Sequence, residues 1–151
     1  LTYIMAKHNL SAAELQVILN KESGVAGVSG VSSDMREIDA AIAEGNERAA
    51  LALDMYLLRL VKYIGAYVAE MGGVDIIVFT GGVGENQAGV REAVCEQFKF
   101  IGLEIDKEFN ATVRGTEATI STAGSKVKVC VIPTDEEYMI ARDTEEIVNK
   151  L

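Results

Sequence analysis

The residues best suited to chemistry lie in one short run. Gly81-Gly82-Val83-Gly84-Glu85-Asn86 follows directly on the apolar stretch Asp75-Ile-Ile-Val-Phe-Thr80 and leads into a helix-like pattern at 87–98. Glycine has no Cβ, so its backbone reaches positive φ and lets a ligand approach closely. A helix start just beyond offers unpaired N–H groups and a partial positive charge, which suits phosphate or ribose. Asn86 adds an amide that both donates and accepts. The same glycines would equally serve a tight strand-to-helix turn with nothing bound. Glu85 is awkward beside a phosphate, and is expected to turn away, capping the following helix or pairing with a cation.

Two further groups have suggestive types. In Asp34-Met35-Arg36, the guanidinium is a planar cation able to stack on a base or bind phosphate, or is a solvated helix residue. Asp34 could be a simple helix N-cap, and Met35 could be core or an apolar wall against a base. Near the end, Thr134-Asp135-Glu136-Glu137 reads as a capping box with Thr134 as N-cap and Glu137 reaching back to it. That leaves Glu136 free to orient a hydrated Mg²⁺, which prefers carboxylate and water oxygens. Alternatively, these acidic residues only complement the helix dipole.

Familiar nucleotide motifs fit poorly. A P-loop needs Gly-Lys-Ser/Thr at its end, and no such lysine follows. A dinucleotide fingerprint wants three glycines; Gly82 and Gly84 supply two, Gln87 stands in place of the third, and Asp106 would be the ribose carboxylate. This partial match keeps an NAD-binding Rossmann-type oxidoreductase as an alternative. A non-catalytic helical interaction module is another.

The elements that must position these groups are readable from periodicity. Residues 1–10 read as a helix end with Asn9 near its stop, and Ser11-Ala-Ala-Glu14 as a capping box opening a helix with Leu15, Ile18 and Leu19 on its apolar face. Residues 23–33, with three glycines and four serines, read as a shaped loop. Asp34 opens a helix to about residue 44, and a long helix spans 46–71, apolar on most sides and so buried or at a subunit interface, with Gly72-Gly73 ending it. The β-branched run 75–80 predicts a central parallel strand covered on both faces. Short strands are expected at 103–106 and 118–121, a clear strand at 126–132, and a last helix from Asp135. The sum is α/β, with more helix than strand.

With 14 basic and 23 acidic residues, the net charge is -9, a poor match to nucleic acid or anionic lipid. His8, the only histidine, sits near a helix end among polar residues, as a surface group would. Cys95 and Cys130 lie far apart without metal-type spacing, which predicts free thiols in a reducing compartment. There is no leader-like or membrane-length apolar run, and the chain opens at Leu1 already in a helical pattern, as a domain cut from something larger would.

Three separated motifs together resemble one family. VFTGGVGEN is similar to the adenosine-binding turn of the acetate and propionate kinases; SGVSSDMR resembles the segment ahead of their nucleotide contacts; IPTDEEYMIARDT resembles their closing stretch. They occur in the family's order across essentially the whole chain. The resemblance implies that residues 1–151 are the C-terminal nucleotide-binding segment of a longer two-lobed kinase. Its fold would be a helix-rich partial lobe of the acetate/sugar kinase–actin–heat-shock ATPase (ribonuclease H-like) class. It implies reversible, ATP-dependent phosphorylation of acetate, or of propionate, in the cytoplasm, with Mg²⁺. Nucleotide contacts fall on Asp34, Met35, Arg36, Gly82, Val83, Gly84, Glu85 and Asn86, and the magnesium-linked glutamate on Glu136. The family's catalytic Asp, Asn, His and arginines have no counterparts here, so the segment alone should be nearly inactive. Homodimerisation through this lobe is also implied.

Overall fold

Local capping signals set the first helices as the sequence suggests. A computed structural model describes residues 1–150, which fall into two units, Leu1–Tyr63 and a second that begins at Ile64. In the first unit, α1 (Thr2–His8) stops at Asn9, whose φ of 53° is the left-handed conformation asparagine tolerates. The box opening α2 (Ala12–Lys21) is present in full. Ser11 Oγ accepts from the Glu14 N–H at 3.3 Å, and the Glu14 carboxylate accepts from the Ser11 N–H at 2.8 Å.

The glycine- and serine-rich stretch departs from expectation. It contains a helix, α3 (Gly24–Ser29), rather than only loop. Glycine disfavours helix, but the Arg48 guanidinium supplies donors to the carbonyls of Val28 (3.0 Å) and Gly27 (3.1 Å), satisfying the last turn from outside. α4 (Met35–Ala43) is capped by Asp34, and Met35 and Ile38 are buried. α5 (Glu47–Met71) begins in the first unit and ends in the second, and Gly72 and Gly73 close it at φ of 73° and 145°. Only Ala49 and Ala52 of α5 are buried. Leu51, Met55, Leu58, Tyr63 and Tyr67 are exposed, so this chain does not enclose the helix.

The second unit is built on three strands, β1 (Ile76–Phe79), β2 (Ala118–Thr119) and β3 (Lys128–Val131), in the order β1-β3-β2. β1 runs parallel to β3, with Ile76 opposite Lys128 and Phe79 opposite Val131, while β2 runs antiparallel to it. The expected central strand therefore lies at an edge, and β3 takes the centre. Nor is β1 covered on both faces: Ile77 and Phe79 point into the core, whereas Ile76 and Val78 are 53% and 48% exposed. The continuous apolar run needs cover on a second face, which the described residues do not supply.

On the closed face, Val129 and Val131 join Val90, Val94, Cys95, Phe98, Leu103 and Ile120 in the core. The helices of this unit are α6 (Gly81–Asn86), α7 (Ala88–Glu96), α8 (Lys107–Thr112) and α9 (Glu136–Val148), with a 3₁₀ turn at Lys99–Ile101. The short strand expected at 103–106 reduces to a single bridge, Ile105 to Ser121. α8 occupies a stretch with no clear pattern and is nucleated by Asp106, whose carboxylate accepts from the Phe109 N–H at 2.9 Å. Both cysteines are free; Cys95 is buried and Cys130 half-buried.

Candidate functional site

The glycine run that ends β1 is a six-residue helix, α6, and not an open turn. Its three glycines have different reasons to be glycine. Gly81 has a φ of 69°, which a side chain resists. Gly84 abuts β1: a Cβ there would stand 3.1 Å from the Phe79 carbonyl carbon. At Gly82 neither reason applies. Its φ is not positive, it is exposed, and a Cβ would meet nothing within 4 Å.

So glycine-rich a helix holds its shape through bonds from elsewhere in the unit. Arg91, fully buried on α7, uses all its N–H groups. Nη1 donates to the carbonyls of Gly84 and Glu85, both at 2.9 Å. Nε donates to Asn110 Oδ1 at 2.7 Å, and Nη2 to the carbonyls of Asn110 (3.0 Å) and Val113 (2.8 Å). No carboxylate faces it, so burial, with Arg114 nearby, lowers its proton affinity from the usual arginine value. Arg114 donates to the Asn86 carbonyl, and the Asn86 amide donates back to the Gly82 carbonyl at 3.0 Å.

At its start, α6 is tied to the end of β3. The hydroxyls of Thr80 and Thr134 lie 2.6 Å apart, and Thr134 Oγ1 accepts from the Gly81 N–H at 3.2 Å. Glu85 Oε1 accepts from the Thr134 N–H at 2.9 Å. Glu85 thus neither caps the next helix nor pairs with a cation, correcting both expectations. The Thr134 capping box is also corrected: with Thr134 held by Thr80 and Gly81, the N-cap of α9 passes to Asp135, whose carboxylate accepts from the Tyr138 N–H at 3.0 Å. Glu136 is then the first helical residue, exposed, and its carboxylate makes no hydrogen bond or ion pair among the described residues.

In the first unit, Asp34 accepts from the Arg36 backbone N–H at 2.9 Å and grips its guanidinium at 2.6–3.2 Å. That side-chain bond, with the backbone bond second, holds the Asp34 carboxyl down at about 2. Arg36 is almost fully exposed, while Met35 beneath is buried. Gly82, Val83, Gly84, Glu85 and Asn86 are brought together on α6, and Glu136 belongs to the same unit; Asp34, Met35 and Arg36 belong to the other.

Sequence reasoning did not single out Arg91, Arg114, Thr80 or Thr134 as residues that shape the site. One signal was available: Arg91 shares a helical face with Val94 and Cys95, three and four positions on, an apolar stripe interrupted by a charge. The dinucleotide alternative loses its support, because Asp106 is spent on capping α8 and the strand after α7 and α8 runs antiparallel to its neighbour.

A strand running into a buttressed glycine helix, with a parallel strand delivering the start of another helix beside it, is a partial α/β lobe, in keeping with the actin-like ATPase fold that the family resemblance implies. Comparison with known proteins makes the assignment specific. The acetokinase family model matches residues 1–142, and the chain belongs to that family. It is 62% identical over 149 residues to the acetate kinase of Bacteroides thetaiotaomicron, covering 99% of this chain and 37% of that protein. The crystal structure of Porphyromonas gingivalis acetate kinase superimposes with a TM-score of 0.89 at 57% identity, over 97% of this chain and 37% of the other. A propionate kinase from Francisella tularensis gives 0.81 at 35% identity, over 93% and 35%. The chain therefore spans about 37% of the length of the curated relatives it matches.

Proposed function

We propose that this chain is the nucleotide-binding part of a kinase that transfers phosphate reversibly between ATP and acetate. The observation that carries the reading is Gly82. Nothing inside the chain requires glycine there, yet the surrounding helix is held by bonds from elsewhere in its unit, and a ligand lying against that face would account for the missing side chain. Adenosine of ATP or ADP would rest on Gly82, Val83, Gly84, Glu85 and Asn86. In the first unit, Asp34, Met35 and Arg36 are the proposed nucleotide contacts, with the Arg36 guanidinium, held by Asp34, suited to stacking on a base or binding phosphate. Greater similarity to acetate kinases than to the propionate kinase favours acetate as acceptor.

The residues present fit a magnesium ion. Among the described residues no group of three or more His, Cys, Asp or Glu could hold a metal unaided. Glu136 offers one carboxylate without a hydrogen-bond partner, which suits an ion that keeps most of its waters and leans on substrate phosphates. When bound, Mg²⁺ would neutralise charge on the transferring phosphate. The chain's own contribution is positioning: α6 fixes the nucleoside, and the short link from Thr134 fixes where Glu136 sits.

By itself the segment should turn over negligibly, since phosphoryl transfer also needs the acceptor pocket and the cations that flank the moving group. Dimerisation through the exposed apolar side of α5 is part of the proposal, as is a cytoplasmic setting; no described helix is long and apolar enough to cross a membrane. Calorimetric titration of the 151-residue chain with ATP, ADP and NADH in Mg²⁺ tests the central point. Saturable binding of the adenine nucleotides without NADH binding is expected. No ATP or ADP binding up to millimolar concentration would overturn it, and robust acetyl phosphate formation by the chain alone would overturn the partition of roles.

A further inference from the structure

Thr134 is bonded to both ends of α6. Its hydroxyl meets Thr80 at 2.6 Å and accepts from the Gly81 N–H at 3.2 Å, and its backbone N–H donates to Glu85 Oε1 at 2.9 Å. The formal N-cap residue of α6, Thr80, makes no capping bond of its own, so a residue 54 positions later does so instead. On the other side, Thr134 is two residues before Glu136, with Asp135 between them fixed as the cap of α9. Two residues of chain span at most about 7 Å. Pro133 before Thr134 locks φ and removes a donor, and the Ile132 N–H is bound to the Phe79 carbonyl at 2.9 Å. Slack between α6 and the first turn of α9 is therefore small, and Thr134 is the residue through which a shift of one reaches the other.

We propose that Thr134 is a positioning residue that couples the nucleotide turn to Glu136, making ATP and Mg²⁺ bind cooperatively. The proposal rests on the assignment of α6 to nucleotide and Glu136 to magnesium. Occupation of α6 by adenosine stiffens the helix, the three bonds hold Thr134 in register, and Glu136 is presented at a fixed place for the hydrated ion. Neither Thr134 nor Thr80 needs to touch the reacting atoms.

The test uses Thr134→Val, which keeps the β-branched shape without the hydroxyl, and Thr134→Ser, which restores the hydroxyl. ATP affinity of each is measured by calorimetry in excess Mg²⁺ and in EDTA, beside a thermal melt. In the unmodified chain Mg²⁺ should tighten ATP binding. Thr134→Val should shrink that enhancement about three- to tenfold, the span one net hydrogen bond allows, and Thr134→Ser should recover it. Glu136→Gln should lower the enhancement too, and adding Thr134→Val to it should do little more, because residues in one network are not additive.

An ordinary helix cap would lower the melting temperature and leave the Mg²⁺ enhancement unchanged. That result, or independent multiplication of the two substitutions, overturns the coupling. Failure of the unmodified chain to bind ATP at all would sink the nucleotide assignment and the coupling with it. Normal ATP binding with an unaltered enhancement in Thr134→Val sinks the coupling alone.

Discussion

Replacing Gly82 by alanine separates folding from binding in a single substitution. Gly82 has helical φ in α6, and an added Cβ would meet no atom of the chain within 4 Å. The protein alone should gain from the change, since alanine in a helix interior is favoured over glycine by about 0.5–1 kcal/mol. For a unit of this size that corresponds to a rise of roughly 2–8 °C in melting temperature. A nucleoside against the same face meets a new methyl group instead. Overpacking of that kind costs about 1–3 kcal/mol, or roughly 5- to 150-fold in Kd. Thermal melts followed by circular dichroism give the first quantity, and calorimetric ATP titration gives the second. Gly84→Ala is the contrasting control: its Cβ would press on the Phe79 backbone at 3.1 Å, so it should lose stability first. If Gly82→Ala is folded and binds ATP as tightly as the unmodified chain, the ligand does not lie on that face, and the functional proposal loses its main support.

Arg91→Met should be among the most damaging single changes, leaving the carbonyls of Gly84, Glu85, Asn110 and Val113 without their donor. Buried unsatisfied groups cost about 1–3 kcal/mol each, so urea denaturation should register a loss of at least about 3 kcal/mol, and a loss below 1 would contradict the cage. Asp34 lends stability that is present above its ordinary value of 3.8 and is lost as pH falls toward about 2, because the folded carboxyl is held down by Arg36. The urea midpoint of the unmodified chain should therefore drop toward that of Asp34→Asn between pH 5 and pH 2.5, both pH values being about one unit or more from 3.8; a constant gap would show that the ion pair carries no linkage. Burial pushes the Cys95 thiol up to about 12, whereas Cys130 is half-buried on the open sheet face. Ellman's reagent should thus titrate one thiol in the native chain and two only in denaturant; rapid native reaction of both would place Cys95 at the surface. Leu58→Glu, on the exposed side of α5, should reduce any dimer seen by sedimentation without lowering the melting temperature, and an unchanged dimer would exclude that face.

What was legible in the sequence is what local chemistry decides. The Ser11–Glu14 box, the Asp34 cap and the αL stop at Asn9 each depend on residues within three or four positions, and each stands where the pattern places it. The errors share a different cause. The Thr134 box has the same local signature as the Ser11 box, but Thr80 and Gly81 claim the hydroxyl from 54 and 53 positions away, and Asp135 inherits the cap. α3 and α6 contradict their glycine content because Arg48 and Arg91 satisfy their carbonyls from other helices. The edge position of β1 and the open side of Ile76 and Val78 were not legible, because periodicity reads an apolar run as burial without saying what does the burying. The family resemblance is borne out by the comparisons, whereas the clamps that give α6 its shape were not visible in the sequence.

The strand in the middle of the sheet is the last of the three to be made. β1 and β2 do not pair with each other, and both ladders wait for β3, so this sheet cannot form until residues 128–131 are present. The fastenings of the glycine helix are spread over the same interval, from Arg91 through Asn110 and Val113 to Thr134. The sheet and its glycine helix are consequently assembled together rather than in stages, and proteases should find β1 and β2 accessible during synthesis until β3 delivers their shared partner.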